Sequence, residues 1–87
     1  MTEVEIFRKT VQHMGEYLER DVSHVTMDSR LDAIVPGLDS LKIFEMILYL
    51  EDCFAVDFDQ GELANVDTMR GLISHIASRL AVKSANS

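Results

Sequence analysis

Three residue types are scarce in this chain of 87 residues, which contains one cysteine, one proline and no tryptophan. The single cysteine, Cys53, excludes an internal disulfide, and its apolar neighbours indicate a structural thiol rather than a reactive one. One proline, and a hydrophobic content of 47% with only 7% aromatic residues, favour a small helical protein over a sheet protein. At this length we expect one domain with a modest core.

Positive charge is also scarce, with 8 Lys and Arg residues against 15 Asp and Glu residues and a net charge of -7. This charge repels phosphate backbones, so nucleic acid is not an expected partner. It favours association with proteins that carry basic patches. The sequence contains neither an apolar run of the roughly 18 residues that a membrane span needs nor the layout of a secretion signal. We therefore expect a cytoplasmic protein.

The N-terminal segment has the pattern of an amphipathic helix. Thr2 and Glu5 stand in capping-box spacing, which predicts a helix from about residue 3 to residue 19. Its apolar residues recur at steps of three and four, which predicts one buried stripe: Val4, Phe7, Val11, Met14 and Leu18. The repeat is too brief for a coiled coil.

Periodicity fails over residues 21–38, where turn residues predict a long connection. The apolar residues available to hold it in place are Val25, Leu31, Ile34 and Val35. A second helix is predicted over residues 40–54, and its predicted core face consists of Ile43, Met46, Ile47, Leu50 and Phe54.

Two further helices follow. Asp59 and Glu62 repeat the cap spacing and open a short helix through about Ala64, and either Asp67 or Thr68 caps the last helix. The predicted stripe of the last helix is Met69, Leu72, Ile73, Ile76 and Leu80. We expect one domain over residues 1–83 and a loose tail over residues 84–87.

These elements predict an all-α fold, a small four-helix bundle with three longer helices and a short third one. The stripes converge on a predicted core of Phe7, Val11, Ile47, Leu50, Phe54, Leu72 and Ile76. We expect a monomer.

Ser40 lies where the second helix is predicted to start. Serine and aspartate are favoured N-cap residues, so capping alone explains its presence. The surrounding pattern, however, resembles the acyl carrier protein family from about Val4 to Leu80, through Gly37, Leu38, Asp39, Ser40 and Leu41, then Glu45, Leu50, Glu51 and Phe54.

The resemblance implies a covalent cofactor, a 4'-phosphopantetheine arm that a phosphopantetheinyl transferase installs from coenzyme A on the matching residue, Ser40. The arm's thiol would hold acyl or aminoacyl cargo as a thioester and carry it between enzymes. The implied partners are that transferase, a loading ligase or transferase, and downstream synthases with basic docking patches. A phosphodiester at a helix start is physically favourable, because free amides and the helix dipole stabilise negative charge.

The second helix also carries a predicted partner-binding strip in which leucine alternates with carboxylate, namely Leu41, Glu45, Leu48 and Asp52. Such a strip can fill small pockets on a partner and pair with its Arg or Lys residues. Lys42, beside it, departs from carriers of fatty acid synthesis, which commonly have an acidic or neutral residue there. We expect Lys42 either to approach the arm's phosphate or to alter partner choice.

Other departures from the fatty-acid carriers are Pro36, which resembles an extra loop residue, and the non-acidic Cys53 and Ala55. They leave fatty acid, polyketide, modified lipid and aminoacyl pathways all open.

Two other function classes are disfavoured. An enzyme would need a metal cluster, a nucleophile-base pair or a phosphate-binding glycine loop, and we predict no catalytic or metal-binding residues. Residues 57–61 resemble a calcium loop only weakly, because Thr68 stands where the required Glu would be.

The remaining alternative is a noncatalytic interaction module in which Ser40 is only a helix cap.

Overall fold

The computed structural model describes residues 1–85, and they form a helical bundle. Its elements are α1 (Glu3–Leu18), a 3₁₀ helix (Leu31–Ala33), α2 (Ser40–Phe54), α3 (Gln60–Leu63) and α4 (Met69–Ala85). The predicted all-α fold with three longer helices and a short third one is confirmed. The 3₁₀ helix was not predicted.

The ends of the helices follow from local chemistry. Thr2 accepts a hydrogen bond from the backbone of Glu5, and the Glu5 side chain accepts from the backbone of Thr2, so the predicted capping box is present. Helices α1 and α2 both end at a residue with left-handed backbone, Glu19 with φ 54° and Ala55 with φ 54°. This conformation stops the helical ladder at each site.

The buried face of α1 is rotated from the predicted stripe. The fully buried residues are Ile6, Thr10 and Met14, whereas Val4, predicted as part of the stripe, is 58% exposed. Thr10 is accommodated there because its hydroxyl donates to the carbonyl of Ile6 at 2.7 Å, which satisfies the buried polar group within the helix. The prediction for Val4 is therefore wrong.

The core lies where α1, α2 and α4 meet. Of the predicted core residues, five are buried and two, Phe7 and Val11, are half-buried against the cluster. The five buried residues are Ile47, Leu50, Phe54, Leu72 and Ile76.

The long connection is bound to the start of α4. The Met69 N–H donates to the Ser29 carbonyl at 2.9 Å, and the Arg70 N–H donates to the Met27 carbonyl at 2.8 Å. All four residues predicted to hold the connection are buried, as are Val22 and Leu38. The connection therefore presents Ser40 from a fixed support.

The last helix is capped by Thr68, one of the two predicted residues, whose hydroxyl oxygen accepts from the Gly71 N–H at 3.4 Å. Helix α4 continues through Ala85, two residues into the segment predicted as a tail. Residues 86 and 87 lie outside the described residues.

Candidate functional site

Ser40 is the first residue of α2, and the residue before it serves as the N-cap. The Asp39 carboxylate accepts from the Lys42 N–H at 2.8 Å, and the Asp39 carbonyl accepts from the Ile43 N–H at 3.0 Å. Ser40 is exposed, and within residues 1–85 its hydroxyl forms no hydrogen bond. Capping therefore does not explain Ser40, because Asp39 already performs that role.

The chain reaches Ser40 through a tight turn. Gly37 has a φ of 81°, a left-handed conformation that glycine adopts without strain. Leu38, next along, is 8% exposed and packs into the core. A flexible residue followed by a buried one thus fixes where α2 begins.

An apolar groove of about 440 Å³ opens beside Ser40, between α2 and α3. It is lined by Ser40, Ile43, Phe44 and Ile47 from α2, and by Gln60, Leu63, Ala64 and Val66. Neither this groove nor the place of Phe44 in its lining was predicted from the sequence, and Phe44 is 46% exposed. The available signal was a large aromatic residue outside the predicted core face of α2.

The predicted partner-binding strip lies on the solvent side of α2. Leu41 is 65% exposed and Leu48 is 39% exposed, while Glu45 and Asp52 are also exposed. Together with Phe44, the two leucines form an apolar ridge (Leu41, Phe44 and Leu48) that starts beside Ser40. The role of this surface in partner binding stays a prediction.

Lys42 and Glu45 are engaged with α1. The Lys42 ammonium lies over the Tyr17 ring, 4.9 Å from its centroid, and the Tyr17 hydroxyl donates to Glu45 at 3.2 Å. An aromatic face attracts a cation, so this contact offsets part of the unfavourable position of Lys42 in the first turn of a helix.

Comparison with known proteins decides the family. No family model matches the chain. The acyl carrier protein of Thermotoga maritima is 32% identical over 76 residues, which are 87% of this chain and 93% of that protein. The chain belongs to the acyl carrier protein family. Acyl carrier protein 3 of Ralstonia nicotianae is 43% identical over 49 residues, and that match spans 56% of each chain.

Solved acyl carrier proteins share the fold. The crystal structure of acyl carrier protein from Thermotoga maritima matches with a TM-score of 0.80 at 21% identity, covering 94% of both chains. The solution structure of holo acyl carrier protein from Geobacter metallireducens matches with a TM-score of 0.81 at 20% identity, covering 93% of this chain and 92% of that one. The bundle is therefore an acyl carrier protein fold.

Polar and aromatic residues join α1 to α2 on the side away from the groove. The His13 ring contacts Glu16 at 2.7 Å, and this hydrogen bond is the largest of the effects that lower the pKa of Glu16. The Tyr49 hydroxyl donates to the same carboxylate at 3.4 Å. The contacts of His13 and Glu16 with α2 therefore hold α1 against α2.

Burial raises the pKa of the Cys53 thiol, which disfavours the nucleophilic thiolate.

Within residues 1–85, no group of three or more His, Cys, Asp or Glu side chains is arranged to hold a metal ion. The helices in that part of the chain are too short or too polar to cross a membrane.

Proposed function

We propose that Ser40 carries a 4'-phosphopantetheine arm, received from coenzyme A, whose thiol holds acyl or aminoacyl cargo as a thioester. The observation that carries the proposal is an exposed serine hydroxyl without a hydrogen-bond partner among residues 1–85, at the start of α2. Membership of the acyl carrier protein family supports it. In the proposed role the protein passes cargo between the enzymes of a biosynthetic pathway.

The start of α2 suits an attached phosphodiester. Asp39 takes up the N–H of Lys42, which leaves the N–H groups of Ser40 and Leu41 without an acceptor within residues 1–85. Free amides and the positive end of the helix dipole stabilise an anion by about 0.3–1 kcal/mol at an exposed site. The product of the transfer is thus favoured where it forms.

Activation of Ser40 comes from a partner in this proposal. The described histidines make their contacts elsewhere: His13 with Glu16, His24 with the Ile34 carbonyl, and His75 with Asp59 and Glu62. None therefore serves as the general base that a weak nucleophile needs. The proposed transferase binds the surface around Ser40 and supplies the base or the metal ion.

The remaining proposed partners are a loading ligase or transferase and downstream synthases. The apolar ridge fits small pockets on such enzymes, and Asp52 fits their basic residues. The groove beside Ser40 offers apolar surface to cargo that folds back from the arm. We assign the ridge to partner enzymes and the groove to cargo because both start at Ser40.

The direct test is intact-mass spectrometry after incubation with coenzyme A and a broad-range phosphopantetheinyl transferase. We expect the wild-type chain to gain the mass of one arm. Ser40→Ala should gain nothing, because the acceptor hydroxyl is gone. Ser74→Ala, which removes an exposed serine from α4, is the matched control and should gain one arm.

Two results would overturn the proposal. If the wild type takes up no arm from any competent transferase, the chain is an interaction module and Ser40 is not its attachment residue. If Ser40→Ala is modified as fully as Ser74→Ala, the arm is attached at another residue.

A further inference from the structure

A buried histidine of α4 contacts the short helix that forms one wall of the groove. His75 is 6% exposed, its Nε2 accepts from the Asp59 backbone N–H at 3.0 Å, and its Nδ1 lies 3.1 Å from a carboxylate oxygen of Glu62. The ring also meets the Phe58 ring edge-on, with centroids 5.5 Å apart. No role for His75 was predicted from the sequence.

The contacts fix the protonation state of His75. A backbone N–H can only donate, so Nε2 must present a lone pair to Asp59 and carries no proton. The ring is therefore neutral, with its hydrogen on Nδ1, from which it donates to Glu62. A second proton on Nε2 would replace this acceptor with a donor that faces another donor.

The bond to His75 is one of three that fix the entry to α3. Each of three consecutive residues has a backbone group bonded to a side chain of α2 or α4: the Asp57 carbonyl accepts from Arg79 at 2.7 Å, the Phe58 N–H donates to Glu51 at 2.7 Å, and the Asp59 N–H donates to His75 at 3.0 Å. Of these side chains, only histidine changes its protonation near neutral pH.

Asp59 is also the N-cap of α3, since its carboxylate accepts from the Glu62 N–H at 3.1 Å. The helix that it opens contributes Gln60 and Leu63 to the wall of the groove beside Ser40. The position of that wall therefore depends on where the backbone of Asp59 is held.

We propose that His75 is a positioning residue, whose neutral ring holds α3 against α4 and whose protonation releases the start of α3 and loosens the groove wall beside Ser40. The consequence for bound cargo rests on the proposed function. The effect on α3 itself does not, because it belongs to the unmodified chain.

Charged groups of both signs belong to the elements packed around His75. Glu62 from α3 contacts Nδ1 of the ring, Asp57 and Asp59 stand in the connection that leads into α3, and Glu51 of α2 bonds the Phe58 N–H. Arg79, one turn further along α4, donates to the Asp57 carbonyl, and the His75 ring is buried. Protonation leaves the Glu62 contact intact and breaks only the bond from the Asp59 N–H.

The test follows the histidine rings and backbone amides of the ¹⁵N-labelled, unmodified protein by NMR between about pH 8 and pH 5, where histidine takes up its proton. We expect the amides of residues 59–64 to titrate with the same midpoint as the His75 ring. Amide hydrogen exchange at Asp59, corrected for intrinsic rate, should become about tenfold faster through the transition, as for one lost hydrogen bond. The rings of His13 and His24 are internal references.

His75→Gln separates this role from simple packing. Its side-chain oxygen can accept from the Asp59 N–H at all these pH values, so α3 should keep its high-pH positions and its titration should disappear. The proposal is overturned if residues 59–64 do not respond while His75 titrates, if His75 stays neutral throughout, or if the same response persists in His75→Gln. The wild-type result alone decides the first two outcomes. Because no arm is attached, a negative result leaves the role proposed for Ser40 unaffected.

Discussion

Two neighbouring residues, Asp39 and Ser40, have different roles at the start of α2. Asp39 closes the first turn with its carboxylate, and Ser40 points an unbonded hydroxyl outward. If Ser40 were the cap, its hydroxyl would be tied to the backbone and modification would weaken the helix. Because Asp39 is the cap, attaching a group to Ser40 leaves the helix end unchanged.

We predict that Asp39→Ala destabilises the protein by about 1 kcal/mol, the usual loss for an N-cap side chain. Urea unfolding followed by circular dichroism measures the change. Asp39→Asn keeps an oxygen that can accept from the Lys42 N–H and should lose much less. An equal loss in both variants would contradict the assignment of Asp39 as the cap.

A second prediction for a single residue concerns the reactivity of Cys53. Burial raises its pKa, so at mildly alkaline pH less of it is thiolate than in an exposed cysteine. We expect a disulfide reagent to modify Cys53 more slowly than free cysteine at the same pH, with a rate that keeps rising at pH values where free cysteine has levelled off. A rate equal to that of free cysteine would contradict a half-buried thiol with a raised pKa.

At the scale of elements, α2 presents three surfaces. One packs into the core through Met46 and Leu50, a second faces the groove through Ile43, and a third is the exposed ridge headed by Leu41. Ser40 stands at the start of all three. A single helix can therefore offer its serine to a partner without uncovering the core.

We predict that Leu41→Ala lowers kcat/KM for transfer of the arm about tenfold, because an exposed apolar residue beside the acceptor is placed to act as an interface anchor. The measurement is the rate of arm transfer at subsaturating protein concentration. Val82→Ala removes an apolar residue of α4 that is 43% exposed and should leave the rate unchanged. Equal rates for both variants would remove the ridge from the docking surface.

The attachment of the long connection to α4 gives a prediction about stability. Leu31 is 4% exposed, so Leu31→Ala should cost about 2–5 kcal/mol of unfolding free energy through lost packing. Arg70 bonds Asp28 at 3.0 Å, but both side chains are mostly exposed, so Arg70→Ala should cost less than about 1 kcal/mol. Chemical denaturation of both variants tests this order. The reverse order would mean that charge, rather than burial, holds the connection.

The helices were predictable because capping pairs and apolar spacing are local. Thr2 with Glu5 marks one start, and Asp59 with Glu62 marks another. The buried face of α1 was harder to predict, since its apolar residues span about 160° at 100° per residue and two overlapping stripes fit them. Which stripe is buried depends on α2 and α4, and the structure selects the one through Ile6 rather than Val4.

At the site, the motif predicted Ser40 but could not assign the cap, because Asp39 and Ser40 are adjacent and both are good capping residues. The groove and the His75 contacts depend on residues far apart in the chain, such as Asp59 and His75. Long-range contacts of this kind leave no periodic pattern, so they emerge only from the folded chain.

For the whole molecule, the net charge of -7 and the exposed ridge act together. In the proposed function, charge of one sign attracts basic partners over a distance set by the ionic strength, and the ridge makes contact after the encounter. The core and the connection hold the start of α2 in place during such encounters. In the proposed function, the molecule presents one residue, Ser40, to several enzymes in turn.

Mass spectrometry of one tryptic peptide tests the central claim most directly. Cleavage after Arg30 and Lys42 releases residues 31–42, in which Ser40 is the only hydroxyl side chain. The account predicts that, in protein made together with a phosphopantetheinyl transferase, this peptide carries 4'-phosphopantetheine. Recovery of the peptide only in its unmodified form, or of the arm on a different peptide, would contradict it.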